Sequence, residues 1–217
     1  MKPDQTEHTV QIPVGKIKLE GELMIPQDAK GIVLFAHGSG SSRFSPRNQF
    51  VAQTLRQNRL ATLLIDLLTF EEDKVDQITR ELRFDIDLLA VRLIGITHWL
   101  LNEARTKKLH IGYFGSSTGA AAALIAAAQE GSSISAVVSR GGRPDLASSY
   151  LPTVQAPTLL IVGGADTVVI ELNQEAYDAL TCVKKLEIVP RATHLFEEPG
   201  ALEKVAGLAA NWFLNYL

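Results

Sequence analysis

Apolar residues through most of this chain come in short unbroken runs, separated by segments with a different rhythm. The runs are GIVLFAH (31–37), LATLLID (60–66), LHIGYFG (109–115), ISAVVSR (134–140), PTLLIVGG (157–164) and KKLEIVP (184–190). Runs of this length without polar alternation read as strands covered on both faces, the pattern of a parallel sheet. Between them, apolar residues recur at three- and four-residue spacing over 46–58, 84–105, 117–130, 170–181 and 198–216, which predicts helices. Parallel neighbours need crossovers, and crossovers are right-handed. The expected architecture is therefore α/β: a mostly parallel, doubly wound sheet of about eight strands with helices on both faces.

Two segments depart from this rhythm. Residues 8–14 and 16–25 alternate in character and meet at Gly15, which predicts an antiparallel hairpin at a sheet edge. The stretch 67–83, LLTFEEDKVDQITRELR, reads as a long irregular connection. Its cluster Glu71, Glu72 and Asp73 suits a solvated loop, and its place beyond a strand end also suits a lid.

Composition narrows the picture. A length of 217 residues fits one domain, 1–217. Hydrophobic residues at 46% and charged residues at 21% are ordinary for a soluble globular chain, and a net charge of -3 gives no preference for nucleic acid or an anionic membrane surface. The longest run of small apolar residues, 119–128, is about half of the roughly 20 that span a bilayer, so a buried helix is expected and no membrane segment. The opening MKPDQTEHTV lacks the apolar stretch of a secretory signal, and a cytoplasmic location is expected. Cys182 is the single cysteine, with no ligand partner at metal-binding spacing; it reads as a packed thiol, and no metal site is expected.

The candidate chemistry lies at the strand ends. Gly115-Ser116-Ser117-Thr118-Gly119 follows the run LHIGYFG and opens an Ala-rich helix, the context that a G-x-S-x-G nucleophile elbow requires. The turn is so sharp that bulky side chains two positions either side of the serine would clash, hence the glycines. The helix N-terminus directs N–H groups and partial positive charge at the same place. Asp166 follows Gly163-Gly164-Ala165 just past one strand, and His194 follows Thr193 just past the next. The order Ser, Asp, His is the order this fold uses. Ser117 is thus the candidate nucleophile, His194 its base, and Asp166 the acid that fixes the imidazole tautomer. Taken singly, Asp166 also reads as a helix cap and His194 as a loop residue. His37-Gly38-Ser39-Gly40 ends the run GIVLFAH, where this fold places a second oxyanion donor; the donors are assigned to the backbone N–H groups of Ser39 and Thr118. His37 is expected to order its loop by hydrogen bonding, and His8, His98 and His110 read as structural.

HGSGSS, GYFGSSTGAAAAL, the acid in LLIVGGADTVV and the base in ATHLFEEPGAL together resemble the α/β-hydrolase superfamily, and within it the dienelactone-hydrolase-like branch. The resemblance runs from Ile32 onward. It implies a hydrolase of carboxylic ester or lactone bonds that needs no cofactor, and chains similar to this one also occur fused to phosphoribosyltransferase domains. Dienelactone hydrolases carry cysteine at the nucleophile position, where this chain has Ser117; the fold and triad carry over, the dienelactone substrate does not. With 16 residues between Arg140 and Pro157, no helical cap is expected, and the site should be open.

Arg43 and Arg140 are candidates to bind a substrate carboxylate through bidentate hydrogen bonds; they, like Arg47 and Arg143, are equally suited to pairing with acids or lying on the surface. The expected function is hydrolysis of a small-molecule ester or lactone through an acyl-enzyme on Ser117. The competing readings are a non-catalytic binding module on the same fold and an acyltransferase using the same triad.

Overall fold

The computed structural model describes residues 7–217. Of the opening MKPDQTEHTV, on which the expectation of no secretory signal rests, residues 1–6 lie outside the described residues. Eight strands form one sheet in the order β1-β2-β4-β3-β5-β6-β7-β8. β1 (Glu7–Val14) and β2 (Ile17–Met24) are the antiparallel hairpin, and β2 also pairs antiparallel with β4 (Ala61–Ile65). The other pairings are parallel and involve β3 (Gly31–Ala36), β5 (His110–Ser116), β6 (Ile134–Arg140), β7 (Thr158–Gly163) and β8 (Lys184–Val189). Every residue of β3, β4 and β7 is buried, which is why these strands read as continuous apolar runs.

Helices cover both faces. α3 (Ile86–Asn102), α4 (Thr118–Glu130) and α5 (Thr167–Ala179) contribute to one apolar layer, with Leu34, Leu63, Tyr113 and Val137 of the sheet. α1 (Pro46–Gln57) and α6 (Ala201–Tyr216) pack on the other, with Phe35, Phe114, Val138 and Ile161. The alanines of α4 are buried almost without exception, and their small side chains allow the helix to lie close to the sheet and to α3. Among the described residues no separate cap domain interrupts this arrangement, and no helix is long and apolar enough to cross a membrane.

The winding reverses between β3 and β5: from β3 the chain steps outward to β4, then returns to the other side of β3 with β5. In open α/β sheets such a switch point leaves a crevice at the carboxyl ends of the two strands, because the following loops diverge. Here those loops are His37–Ser45 and the turn at Ser117.

Residues 67–83 are not irregular. They contain a ten-residue helix, α2 (Phe70–Thr79), followed by a short 3-10 turn (Leu82–Phe84). The helix starts in a capping box, with the Thr69 side chain accepting from Glu72 N–H and the Glu72 carboxylate accepting from Thr69 N–H. Its fully buried face carries Asp76, which takes Arg83 Nε at 2.5 Å, while Phe70, Val75 and Ile78 are exposed. Buried Arg92 of α3 ties the segment down by donating to Leu67 O and to Glu72. Replacing Thr69 with Ala should cost about 1 kcal/mol of local stability. Hydrogen exchange should show faster opening of amides 70–79, with little change in the amides of β3 and β5.

Candidate active site

The backbone of Ser117 lies at φ 50°, ψ -121°, a left-handed conformation that a non-glycine residue adopts only when its surroundings hold it there. Three hydrogen bonds do so. Ser117 N–H donates to Arg140 O at 3.2 Å, and Ser117 O accepts from Ala120 N–H and Arg143 N–H, both at 3.1 Å. Gly119 permits the turn, since a Cβ there would lie 2.3 Å from the carbonyl oxygen of Ala36 at the end of β3.

Asp166 and His194 are joined across neighbouring strand ends. Asp166 Oδ2 accepts from His194 Nδ1 at 2.7 Å. The bond fixes the tautomer: with the proton on Nδ1, the lone pair of the unprotonated imidazole is on Nε2, the atom a general base uses. Asp166 is the N-cap residue of α5, but its side chain makes no capping bond and serves His194 instead. The two loops come together because position 163 has no side chain; a Cβ on Gly163 would lie 2.3 Å from Ala192 O, and next to it Ala165 N–H donates to that same oxygen at 2.9 Å. The His194 ring also borders Gly141, one residue beyond β6.

On the other side of Ser117, the loop after β3 is fixed by His37. Its Nε2 accepts from Leu67 N–H at 3.1 Å, which leaves Nδ1 to donate to Gly38 O at 3.0 Å. Burial holds the His37 imidazole below its ordinary pKa of about 6.5, against the opposing influence of the Gly38 carbonyl, Asp66 and Asp73. The Ser39 N–H, one of the two assigned oxyanion donors, donates to Thr118 Oγ1 at 2.9 Å. The Thr118 N–H is at the first position of α4, where the helix supplies no acceptor.

The two candidate arginines have different surroundings. Arg43 is engaged: its guanidinium bridges Asp66 and Glu20 and lies over the Phe44 ring, and its backbone N–H donates to Asp66 at 2.6 Å. Arg143 likewise pairs with Asp145 at 2.7 Å, and Arg47 approaches Glu197 at 3.3 Å. Arg140 is 7% exposed, and its Nε and Nη1 have no hydrogen-bond partner among the described residues. Burial, reinforced by Arg47, pushes its pKa down to about 10.

A cavity of about 900 Å³ lies beside the loop after β3, between Ser39, Arg43, Asp66, Thr69, Asp76 and Arg83. It shares Gly38 and Ser39 with the site, but none of Ser117, Asp166 and His194 lines it. Among the described residues, no three His, Cys, Asp or Glu side chains cluster so as to hold a metal ion. Cys182 is partly buried against Thr158, and burial pushes its thiol pKa up.

The sheet order, a serine in a strained strand-to-helix turn after β5 and an Asp-His pair past the ends of β7 and β8 are features of the α/β-hydrolase class. The chain belongs to its dienelactone hydrolase family. The crystal structure of a dienelactone hydrolase from Anabaena variabilis is 61% identical, matches with a TM-score of 0.97, and the match covers 98% of this chain and 99% of that one. More distant structures share the fold: Est1E from Butyrivibrio proteoclasticus at 16% identity and a TM-score of 0.80, over 95% of this chain and 98% of that one, and the Pyrococcus furiosus esterase Pf2001 at 20% and 0.76, over 98% and 93%. Two Mycobacterium tuberculosis proteins named "Putative phosphoribosyl transferase" are 54% identical over 215 residues, 99% of this chain and 48% of theirs. The chain thus spans about half the length of the curated relatives it matches. No family model matches it.

The His37 bonds require a neutral ring, and burial makes protonation harder in the folded state than in the unfolded chain. Between the folded and unfolded pKa values the unfolded chain therefore binds more protons, so this contribution to stability is full above about pH 6.5 and is lost as pH falls through the folded value. Denaturant midpoints measured from pH 8 to pH 5 should fall less steeply for His37→Gln than for the wild-type protein.

Proposed function

We propose that this chain is a serine hydrolase that cleaves a carboxylic ester or lactone of a small molecule through an acyl-enzyme on Ser117. The observation that carries the reading is the 2.7 Å bond between His194 Nδ1 and Asp166 Oδ2, with the His194 ring against Gly141, the residue after the one whose carbonyl holds Ser117 N–H. A serine hydroxyl is a weak nucleophile until a base takes its proton, and this arrangement leaves Nε2 as that base. Ser117 Oγ attacks the carbonyl carbon as its proton passes to His194. Collapse of the tetrahedral intermediate expels the alcohol, which takes that proton. Water, activated by His194, then releases the acid. The negative oxygen of each intermediate lies at the N-terminus of α4, where helix dipole and free N–H groups favour it.

Against the binding-module reading stand the presence in the sequence of all three candidate residues and the bond between Asp166 and His194. Transfer of the acyl group to an alcohol uses the same machinery and differs only in the acceptor. The phosphoribosyl transferase name of the longer relatives is best referred to the part of those proteins outside the match, because the matching part has a hydrolase fold.

Of the two arginines, Arg140 is the one we assign to a substrate carboxylate, supported by its unpaired guanidinium and by its place one residue before Gly141, which borders His194. Arg43, spent on Asp66 and Glu20, holds the loop that carries Ser39.

Ser117→Ala should abolish hydrolysis of a neutral aryl acetate and labelling by a fluorophosphonate, with an unchanged circular dichroism spectrum. Full activity in that variant would sink the reading. Arg140→Met should raise KM for a carboxylate-bearing aryl ester roughly 10- to 100-fold, the range for hydrogen bonds to a charged group, and leave KM for the neutral acetate unchanged.

A further inference from the structure

The Ser39 N–H has a single proton to donate, and it is committed to Thr118 Oγ1 at 2.9 Å. Thr118 is 3% exposed, so water does not readily compete for its side chain. A hydroxyl has one proton to donate and room for two bonds to accept. Thr118 Oγ1 uses one acceptor position on Ser39, and its proton has no acceptor among the described residues. A buried O–H without an acceptor, directly after the nucleophile in the chain, is a polar group waiting for one.

We propose that the Thr118 side-chain hydroxyl is itself a catalytic donor to the oxyanion, so that the oxyanion hole is formed by the N–H and Oγ1–H of one residue, with the Ser39 N–H behind the hydroxyl. The proposal rests on the acyl-enzyme reading of Ser117. Backbone nitrogen and Oγ1 of one threonine are close enough for a single oxygen to accept from both. The Thr118 N–H is free to do so because it occupies the first position of α4. Donation from Ser39 into Oγ1 draws electron density from the hydroxyl and makes its proton a stronger donor, the cooperative effect of hydrogen bonds in series.

The electron and proton accounting is simple. As the Ser117 oxygen bonds to the carbonyl carbon, the C=O π pair moves onto the substrate oxygen and the Ser117 proton moves to His194. Thr118 keeps its own proton throughout and only shares it with the oxyanion. When the C=O re-forms, the hydroxyl returns to its resting state and the leaving alcohol takes the proton from His194. Water is the only other reactant, and its attack on the acyl-enzyme repeats the same sharing of the Thr118 proton.

The alternative is that the hydroxyl is a placeholder, and that the Ser39 N–H leaves it for the oxyanion when substrate binds. Thr118→Val keeps the branched shape and removes the hydroxyl; Thr118→Ser keeps the hydroxyl; Thr118→Ala removes it without any demand on space. With a neutral aryl acetate, the Val and Ala variants should lose roughly 10²- to 10³-fold in kcat, the range for removing one oxyanion donor, with KM little changed and Thr118→Ser within about fivefold of wild type. The preference for the aryl acetate over its thiono analogue, whose sulfur is a poor acceptor, should shrink in the Val and Ala variants and persist in Thr118→Ser. A role confined to packing would move neither the kcat and KM split nor that preference. Val or Ala variants that keep kcat within about threefold of wild type would overturn the inference. Activity retained by Ser117→Ala would instead remove the hydrolase reading on which it rests, so the two failures are told apart.

Discussion

The first turn of α4 lies so close to the end of β3 that Gly119 has no room for a methyl group beside Ala36 O. This approach is possible because β3 and β5 are neighbours at the point where the sheet reverses its winding, and because the alanines of α4 allow the helix down onto the sheet. The other parts of the site are arranged around that contact. It brings the loop carrying Ser39 within hydrogen-bond reach of Thr118, and it forces the chain through Ser117 at φ 50°. A second close approach, at Gly163 against Ala192 O, does the same for Asp166 and His194. Two backbone contacts between strand-end loops therefore set the positions of four side chains.

Much of this was legible in the sequence because it depends on local rules. Continuous apolar runs marked β3 to β7 to within about a residue at each end, since strands covered on both faces have no polar side to alternate, whereas β8, at the sheet edge, is mostly exposed or half-buried. The candidate positions Ser117, Asp166 and His194 could be singled out because each lies just past a strand end, and parallel strands carry those ends to one edge of the sheet. Gly115 and Gly119 announced the turn in the same way, as residues required by sterics rather than by charge.

What escaped the sequence reading had a different physical basis. α2 leaves no helical signature in the hydrophobic pattern because it inverts the usual one. Its buried face holds Asp76 in an ion pair with Arg83, and its exposed face holds Phe70, Val75 and Ile78, so hydrophobic periodicity gives no inward stripe. The Thr69-x-x-Glu72 capping box was the signal that identifies it. The states of Arg43 and Arg140 were equally closed to a reading of spacing, because Asp66 and Glu20 reach Arg43 only through tertiary packing, and the lack of a partner for Arg140 is a property of its whole surroundings. The Ser39 to Thr118 hydrogen bond spans 79 positions and belongs to the same class.

The conformation of Ser117 also places two kinds of selection in opposition at one residue. A left-handed backbone costs a serine energy that a glycine would not pay, so folding alone favours loss of the side chain there, while any chemistry at this position requires it. On the proposed reading of Ser117, the substitution that would relax the backbone there is also the one that would remove the chemistry.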